Sequence, residues 1–210
     1  SQKRYWDRGV NTKANWAYGI IKMINLGILG STNGTDLQPI LDEIYSGNLN
    51  AKVSVVISNN KNAYILKRAE KNNIPAVFIS HKNKKRKDFD NKTTTVLLEY
   101  NVQLILLIGF MRILSSSFCF QWKNKILNIH PSLLPKYAGG LDTNVHEEVL
   151  KNKEKETGCT IHYVTENLDS GPILIQKKCF VNPNDDVTTL KKKVQKLEGQ
   201  AFIEAIGLFV

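Results

Sequence analysis

Short apolar runs recur along the chain from Ile24 onward, separated by segments of mixed polarity. The runs read INLGILG (24–30), KVSVVIS (52–58), PAVFIS (75–80), VQLILLIGF (102–110) and KILNIH (125–130). Each run has the length of a strand and is bounded by turn residues or by a change of pattern. We therefore predict five buried strands.

The segments between these runs have the character of helices. Within residues 36–45, apolar side chains recur at helical spacing at Leu37, Ile40, Leu41 and Ile44. Further helices are predicted at 63–72, 88–100 and 115–122. Strands that alternate with helices at this spacing build βαβ units. The predicted fold class is therefore α/β, a single Rossmann-like domain with a mostly parallel twisted sheet and helices on both faces.

The alternation stops after residue 130. Prolines and glycines at Pro131, Pro135, Gly139 and Gly140 predict a loop, and a helix follows at about 144–152. Two strands around a turn (158–169 and 171–181) and a closing helix (187–208) complete the pattern. Ligands of open α/β sheets bind beyond the carboxyl ends of the strands. This loop and the other turns at strand ends are therefore the candidate site.

Residues 1–23 lack a convincing period and mix Trp6, Trp16 and Tyr18 with basic residues. They also lack the long apolar stretch of a secretory signal. We predict an N-terminal extension of unknown role over 1–23 and one folded domain over 24–210.

Composition narrows the classes of function. The 210-residue chain is 42% hydrophobic, but no apolar run reaches the about 20 residues that span a bilayer, so we predict no membrane association. Cys119, Cys159 and Cys179 form no C-x-x-C pair and have no histidine at ligand spacing. We expect reduced thiols, no metal site and a cytoplasmic location.

The net charge of +10 is compatible with a solvated basic face or with nucleic acid. Much of the excess positive charge lies in two short runs, 81–89 and 190–196, which favours the solvated face. Aromatic residues interleaved with lysine and arginine in 1–23 keep a non-enzymatic nucleic-acid-binding module open as an alternative.

The turn GSTNGTDL (30–37) joins the first predicted strand to the first predicted helix. Backbone N–H groups at such a helix N-terminus, with Asn33 and Gly34 allowing an unusual backbone path and Thr35 offering a hydroxyl, would bind a phosphate. A plain turn capped by Thr35 or Asp36 explains the same residues. The pattern alone leaves both interpretations open.

Asn128 and His130 stand two positions apart in the fifth predicted strand, so their side chains project from the same face at its carboxyl end. An amide donates to an oxyanion and an imidazolium donates a proton, and together they serve acyl transfer through a tetrahedral intermediate. Asp169, in the turn ENLDSGP, would raise the pKa of His130 if the two side chains met. For the remaining histidines we expect a solvated position (His81) or structural positions (His146 and His162).

Three segments, GFMRIL (109–114), NIHPSLLPKY (128–137) and LDSGPI (168–173), resemble the phosphoribosylglycinamide formyltransferase family in order and spacing. The resemblance extends from about Ile24 to the C-terminus. It implies the formyltransferase fold and the transfer of a formyl group from 10-formyltetrahydrofolate to the amine of glycinamide ribonucleotide, in de novo purine biosynthesis. It implies neither a metal nor a covalent enzyme intermediate.

The resemblance also implies a role for each matching residue. The catalytic residues are Asn128, His130 and Asp169. The substrate-binding residues are Asn33, Gly34, Thr35, Asp36, Ile129, Pro131, Gln195 and Glu198. The residues that bind the folate cosubstrate are Arg86, Met111, Arg112, Ile113, Leu114, Asn128, Leu168 and Asp169. The expected partners are the two substrates, without nucleic acid or membrane, for a monomer or homodimer.

Two departures from the family bear on the substrate site. Asp36 stands where many members have Asn, and its charge would repel a phosphate unless the side chain caps the helix or turns away. The loop at 137–144 reads YAGGLDTN rather than the commoner YPGLHTH form.

A second family of the same superfamily, methionyl-tRNA formyltransferase, shares the Asn, His and Asp pattern and suits a basic chain. It adds a C-terminal domain of roughly a hundred residues, for which we expect no room before Val210, and its loop usually reads YRGAAP. Formyltetrahydrofolate hydrolase shares the core and normally carries an N-terminal regulatory domain, which we do not expect here.

Overall fold

The structure is a computed structural model that describes residues 23–140 and 142–210. The described residues form seven strands: β1 (Ile24–Leu29), β2 (Ala51–Ser58), β3 (Ala76–Phe78), β4 (Leu104–Leu107), β5 (Ile126–His130), β6 (Glu156–Tyr163) and β7 (Ile173–Phe180). They also form six helices: α1 (Leu37–Tyr45), α2 (Tyr64–Lys71), α3 (Arg86–Glu99), α4 (Ser116–Gln121), α5 (Asp142–Lys151) and α6 (Val187–Gly207). Residues 1–22, which make up nearly all of the predicted extension, lie outside the described residues.

All seven strands belong to one sheet with the order β3-β2-β1-β4-β5-β6-β7. The first five strands are parallel to one another, and β6 and β7 add two antiparallel neighbours beyond β5. The predicted α/β class with a mostly parallel sheet is confirmed. The main boundary error concerns the sixth strand, which ends at Tyr163 rather than reaching Asp169.

Both faces of the sheet are buried along β1, β2 and β4, which explains why these strands are apolar runs rather than alternating patterns. Along β4, Leu104 and Leu106 belong to the core on one face, whereas Ile105 and Leu107 belong to the core on the other. Helices α1, α2 and α6 contribute to the first core, and α3 and α4 to the second.

The position of the candidate site follows from the strand order. The chain moves outward from β1 to β2 and β3 and then returns to β4 on the other side of β1. Loops after β1 and β4 therefore diverge and leave a crevice at the carboxyl ends of these strands.

Among the described residues, no helix is long and apolar enough to cross a bilayer.

Candidate functional site

A cavity of about 400 Å³ lies over the carboxyl ends of β1, β4 and β5. Its lining includes residues 32–36 after β1, residues 108–111 after β4 and residues 128–131 from β5. Leu168 and Asp169 close one side, and Lys191, Gln195 and Glu198 of α6 close another. A larger cavity of about 700 Å³ lies beyond Tyr137, but its lining includes none of Asn128, His130 and Asp169. The smaller cavity is therefore the candidate site.

His130 is held between two acceptors at the end of β5. Its Nδ1 lies 3.2 Å from Asp169 Oδ2, and its Nε2 lies 2.8 Å from the carbonyl oxygen of Tyr137. Because both partners accept hydrogen bonds, only a doubly protonated ring satisfies both of them. The geometry thus suits an imidazolium.

The burial of His130 disfavours the charged imidazolium. The His130 side chain is 4% exposed, and this burial lowers the pKa of His130 below its ordinary value, although the Asp169 charge and the Tyr137 carbonyl act to raise it. The predicted influence of Asp169, which raises this pKa, is confirmed, but burial has the larger effect and the net shift is downward. Asp169 offsets part of the desolvation and no more.

Asp169 lies in the turn between β6 and β7, in the left-handed backbone region with φ of 48°. Its Oδ2 accepts a hydrogen bond of 2.8 Å from the backbone N–H of Gly139. Burial favours the neutral acid, but the hydrogen bonds from His162 and Gly139 and the charge of His130 outweigh it and hold the pKa of Asp169 below its usual range. The carboxylate is thus ionised at neutral pH.

His162, for which we expected a structural position, belongs to the same cluster. Its Nε2 lies 3.4 Å from Asp169 Oδ1 and 3.2 Å from Asn128 Nδ2, and its Nδ1 lies 3.0 Å from the Tyr163 carbonyl oxygen. With Nδ1–H donating to that carbonyl, a neutral ring accepts from the Asn128 amide at Nε2, whereas a charged ring donates to Asp169. His162 therefore orients Asn128 in one protonation state and Asp169 in the other.

The turn at residues 33–36, called here the phosphate turn, opens α1 at one end of the cavity. Leu37 N–H donates to Gly34 O, and Gly34 has φ of 61°. A Cβ at Gly34 would lie 2.3 Å from Ile65 Cγ1, so glycine is required both by the backbone angle and by the close approach of α2. The N-terminus of α1 faces the cavity, as an anion site requires.

Charged side chains surround this end of the cavity. Asp36 occupies the N-cap position of α1, yet its side chain makes no capping hydrogen bond. Glu198 and Asp36 are both buried, and their charges add to burial in raising the pKa of the nearby Cys159 thiol. Lys191, which the sequence analysis did not single out, is the one lysine or arginine among the described residues that line the cavity.

The segment at residues 111–114, called here the folate segment, spans the main cavity and a smaller adjoining one of about 80 Å³. Met111 lines the first, and Arg112, Ile113 and Leu114 line the second, together with Leu168 and His162. The Arg112 guanidinium lies over the Phe89 ring of α3, 4.6 Å from its centroid. Leu168 is 59% exposed and lines both cavities.

All the site residues that the resemblance implies line the main cavity or the adjoining one, except Arg86. Ile129, Pro131, Gln195 and Glu198 all line the main cavity. Arg86, the first residue of α3, is exposed and lines neither cavity. His81, expected to be solvated, is half-buried and lies 3.1 Å from the Asn59 carbonyl oxygen through its Nδ1.

Comparison with protein families places residues 24–206 within the model described as Formyl transferase. The chain is 38% identical over 188 residues to the phosphoribosylglycinamide formyltransferase of Haemophilus influenzae, covering 89% of this chain and 87% of that protein. It is 39% identical over 188 residues to the human trifunctional purine biosynthetic protein adenosine-3, covering 89% of this chain and 18% of that protein. The chain thus spans less than a fifth of the length of the trifunctional relatives.

Solved structures show a similarity to the same family of enzymes. The glycinamide ribonucleotide transformylase 1 of Symbiobacterium toebii superposes with a TM-score of 0.84 at 38% identity, over 89% of this chain and 87% of that one. The phosphoribosylglycinamide formyltransferase of Coxiella burnetii, solved in complex with CHES, superposes with a TM-score of 0.84 at 40% identity, over 90% of this chain and 87% of that one.

Proposed function

Because the chain belongs to the formyl transferase family, we propose that it transfers the formyl group of 10-formyltetrahydrofolate to the amine of glycinamide ribonucleotide, a step of de novo purine biosynthesis. The family predicted from the sequence is confirmed. The choice of this acceptor is supported by the Haemophilus influenzae relative, of which the chain covers 87%.

The observation that carries the proposal is the grouping of Asn128, His130 and Asp169 in the cavity that the phosphate turn also lines, with Asn128 and Asp169 lining the adjoining cavity of the folate segment as well. An amide donor, an imidazole and an ionised carboxylate are the groups that acyl transfer requires at the reacting carbon. The phosphate turn lines the main cavity and the folate segment continues into the adjoining one, so both substrates would reach these groups.

In the proposed reaction the substrate amine attacks the formyl carbon, and negative charge develops on the formyl oxygen. Asn128 donates one N–H to this oxygen while its amide is oriented by His162. His130, as the imidazolium, donates a second hydrogen bond. The bond between the carbon and N10 of the folate then breaks, and the proton lost by the amine passes to N10 through His130, Asp169 and water.

The resting geometry adds one requirement. Both nitrogens of His130 have acceptors, Asp169 on one side and the Tyr137 carbonyl on the other. The Nε2–H must therefore turn from Tyr137 to the formyl oxygen when the substrates bind. Retention of the Asp169 contact favours the charged imidazolium during this exchange.

The phosphate turn would hold the substrate phosphate through backbone N–H groups and the N-terminus of α1. Asp36 opposes an anion there, and Lys191 supplies positive charge to the same cavity. Gln195 and Glu198, one and two turns further along α6, would face the ribose. The folate segment and Leu168 would cover the pterin.

Among the described residues, no group of three or more His, Cys, Asp or Glu side chains could hold a metal ion. A reaction without a metal remains a prediction. The expected partners are the two substrates. The oligomeric state (monomer or homodimer), the absence of nucleic acid and the cytoplasmic location remain predictions.

The described cysteines, Cys119, Cys159 and Cys179, are free thiols.

The proposal is tested by a competition between acceptors. Conversion of 10-formyltetrahydrofolate to tetrahydrofolate is followed by absorbance with glycinamide ribonucleotide, with methionyl-tRNA, and with neither. We expect turnover with the ribonucleotide alone. Turnover with methionyl-tRNA, or equal turnover without any acceptor, would assign the chain to another member of the superfamily.

A further inference from the structure

We propose that Ser31 and Asn59 are positioning residues that fix the folate segment against the end of β1 and thereby set the affinity for the folate cosubstrate. This inference rests on the proposed function for the identity of the ligand. Its structural part rests on a chain of hydrogen bonds that begins at Met111 and ends at His81.

Ser31 extends the pairing of β1 with β4 beyond the ends of the two strands. Ile108 N–H donates to Leu29 O at 2.9 Å, and Ser31 N–H donates to Gly109 O at 3.0 Å. Gly109 then adopts φ of 59°, which turns the chain out of the ladder. The next donor, Met111 N–H, is accepted by the Ser31 hydroxyl at 2.8 Å instead of by a backbone carbonyl.

The hydroxyl of Ser31 also determines the orientation of Asn59. Because its oxygen accepts from Met111, its hydrogen is available to donate, and Asn59 Oδ1 lies 2.6 Å away. The amide nitrogen of Asn59 must then point the other way, where it lies 3.3 Å from His81 Nδ1. Ser31 and Asn59 are both 8% exposed, so water does not readily replace either partner.

The turn at Gly109 is also tightly packed. A Cβ at Gly109 would lie 2.3 Å from Thr32 Oγ1, so the residues after β4 pack directly against those after β1. The folate segment starts at this contact, and Met111 is 53% exposed toward the cavity that it lines. Without the Ser31 hydroxyl, Met111 N–H and Asn59 Oδ1 would both lose their partner, and a segment that the cosubstrate must contact would become less ordered.

The expected effect is specific to one ligand. A less ordered folate segment must be ordered by the cosubstrate, which weakens folate binding. The phosphate turn keeps its own hydrogen bonds, such as that from Leu37 N–H to Gly34 O, so binding of the ribonucleotide should change much less. A loss of general stability would instead weaken both.

The test is calorimetric binding of tetrahydrofolate and, separately, of glycinamide ribonucleotide to the wild type and to four variants. Ser31→Ala removes the acceptor of Met111 N–H, and Asn59→Leu removes the acceptor that orients the Ser31 hydroxyl. We expect each to raise the Kd for tetrahydrofolate, Ser31→Ala by tenfold or more, about 1.4 kcal/mol, and Asn59→Leu by less. Asn59→Asp keeps an oxygen acceptor for Ser31 but buries a charge, so it should restore the Met111 amide protection that Asn59→Leu loses even where it lowers the Tm. Ser54→Ala removes another buried hydroxyl, on β2, and should leave both Kd values unchanged.

Hydrogen exchange of the Met111 amide gives a readout that needs no ligand. We expect faster exchange in Ser31→Ala than in Ser54→Ala, with the exchange of the Leu37 amide unaltered. Equal Kd values for tetrahydrofolate in the wild type and Ser31→Ala would overturn the inference while leaving the proposed function intact. Failure of the wild type to bind tetrahydrofolate would overturn the proposed function itself.

Discussion

His130 Nδ1 lies 3.2 Å from Asp169 Oδ2, and the two side chains are 4% and 5% exposed. A charge pair so well shielded from water has a strong mutual influence, since the screening that weakens surface pairs is largely absent. The carboxylate is needed to oppose the desolvation that otherwise keeps the imidazole neutral. The protonation state of His130 therefore depends on Asp169.

Replacement of Asp169 by Asn should lower kcat by about 10² to 10⁴ and shift its pH dependence. Asn fits the left-handed backbone of residue 169, so the turn is preserved. Burial already lowers the pKa of His130, and loss of the carboxylate that acts to raise it lowers this pKa further. Activity that needs the imidazolium should therefore decline, on the alkaline side, at a lower pH than in the wild type. The measurement is kcat against pH for both proteins.

Two results would contradict this role of Asp169. One is an alkaline limb at the same pH in both proteins. The other is a double variant, His130→Ala with Asp169→Asn, whose losses in kcat add fully, because a residue that acts through His130 has little left to contribute once the imidazole is gone.

Replacement of His162 by Ala should shift the pH profile in the opposite direction. Burial raises the pKa of Asp169, and the hydrogen bond from His162 is the largest opposing influence, so its removal raises this pKa. Loss of the His162 charge also removes one influence that lowers the pKa of His130. Both the acid and the alkaline limbs of kcat should move to higher pH. His146→Ala, which removes another buried histidine, should leave both limbs of the pH profile unchanged. A shift of the limbs in His146→Ala would mean that the shifts in His162→Ala come from a general loss of stability.

Replacement of Asn128 by Ala should lower kcat about 10² to 10³-fold with little change in the KM values. In the proposed reaction the amide acts on charge that appears only in the transition state, so its loss should affect the chemical step more than binding. Steady-state kinetics with both substrates varied provides the measurement. A large increase in KM with kcat unchanged would show that Asn128 binds the ground state instead.

Replacement of Gly34 by Ala should raise the KM for glycinamide ribonucleotide tenfold or more, about 1.4 kcal/mol, because the new Cβ meets Ile65 and the phosphate turn must shift. Gly47→Ala is a matched control. Gly47 also has a positive φ, of 78°, but nothing lies within 4 Å of its Cβ position. Both variants carry the backbone strain of about 1–2 kcal/mol, and only Gly34→Ala should change this KM. Equal KM values in the two variants would remove the turn from the site.

The strands and the Asn128–His130 pair could be predicted because they depend on local pattern. Residues buried on both faces of a sheet form short apolar runs, and residues two apart in a strand share a face. Asp169 was expected to lie in a turn near His130, and the structure brings the two side chains together. These features depend on a few neighbouring residues.

His162 and the net pKa shift of His130 could not be predicted because they depend on distant parts of the chain. His162 pairs with Asn128 through the antiparallel register of β6 on β5, and no local pattern encodes that register. Its place in the alternation of β6 made it resemble a core residue. The burial that lowers the pKa of His130 is likewise visible only in the fold. Lys191 did carry a signal, because it stands one helical turn before Gln195 and so shares its face.

The central claim is that Asn128, His130 and Asp169 transfer a formyl group to the amine of glycinamide ribonucleotide. Mass spectrometry of the ribonucleotide, after incubation with 10-formyltetrahydrofolate and either the wild type or His130→Ala, tests it most directly. We expect formylated ribonucleotide with the wild type and a rate lower by about 10² to 10⁴ with the variant, measured at a temperature at which both proteins are folded. Unmodified ribonucleotide with the folded wild type, or equal rates in the two proteins, would contradict the claim.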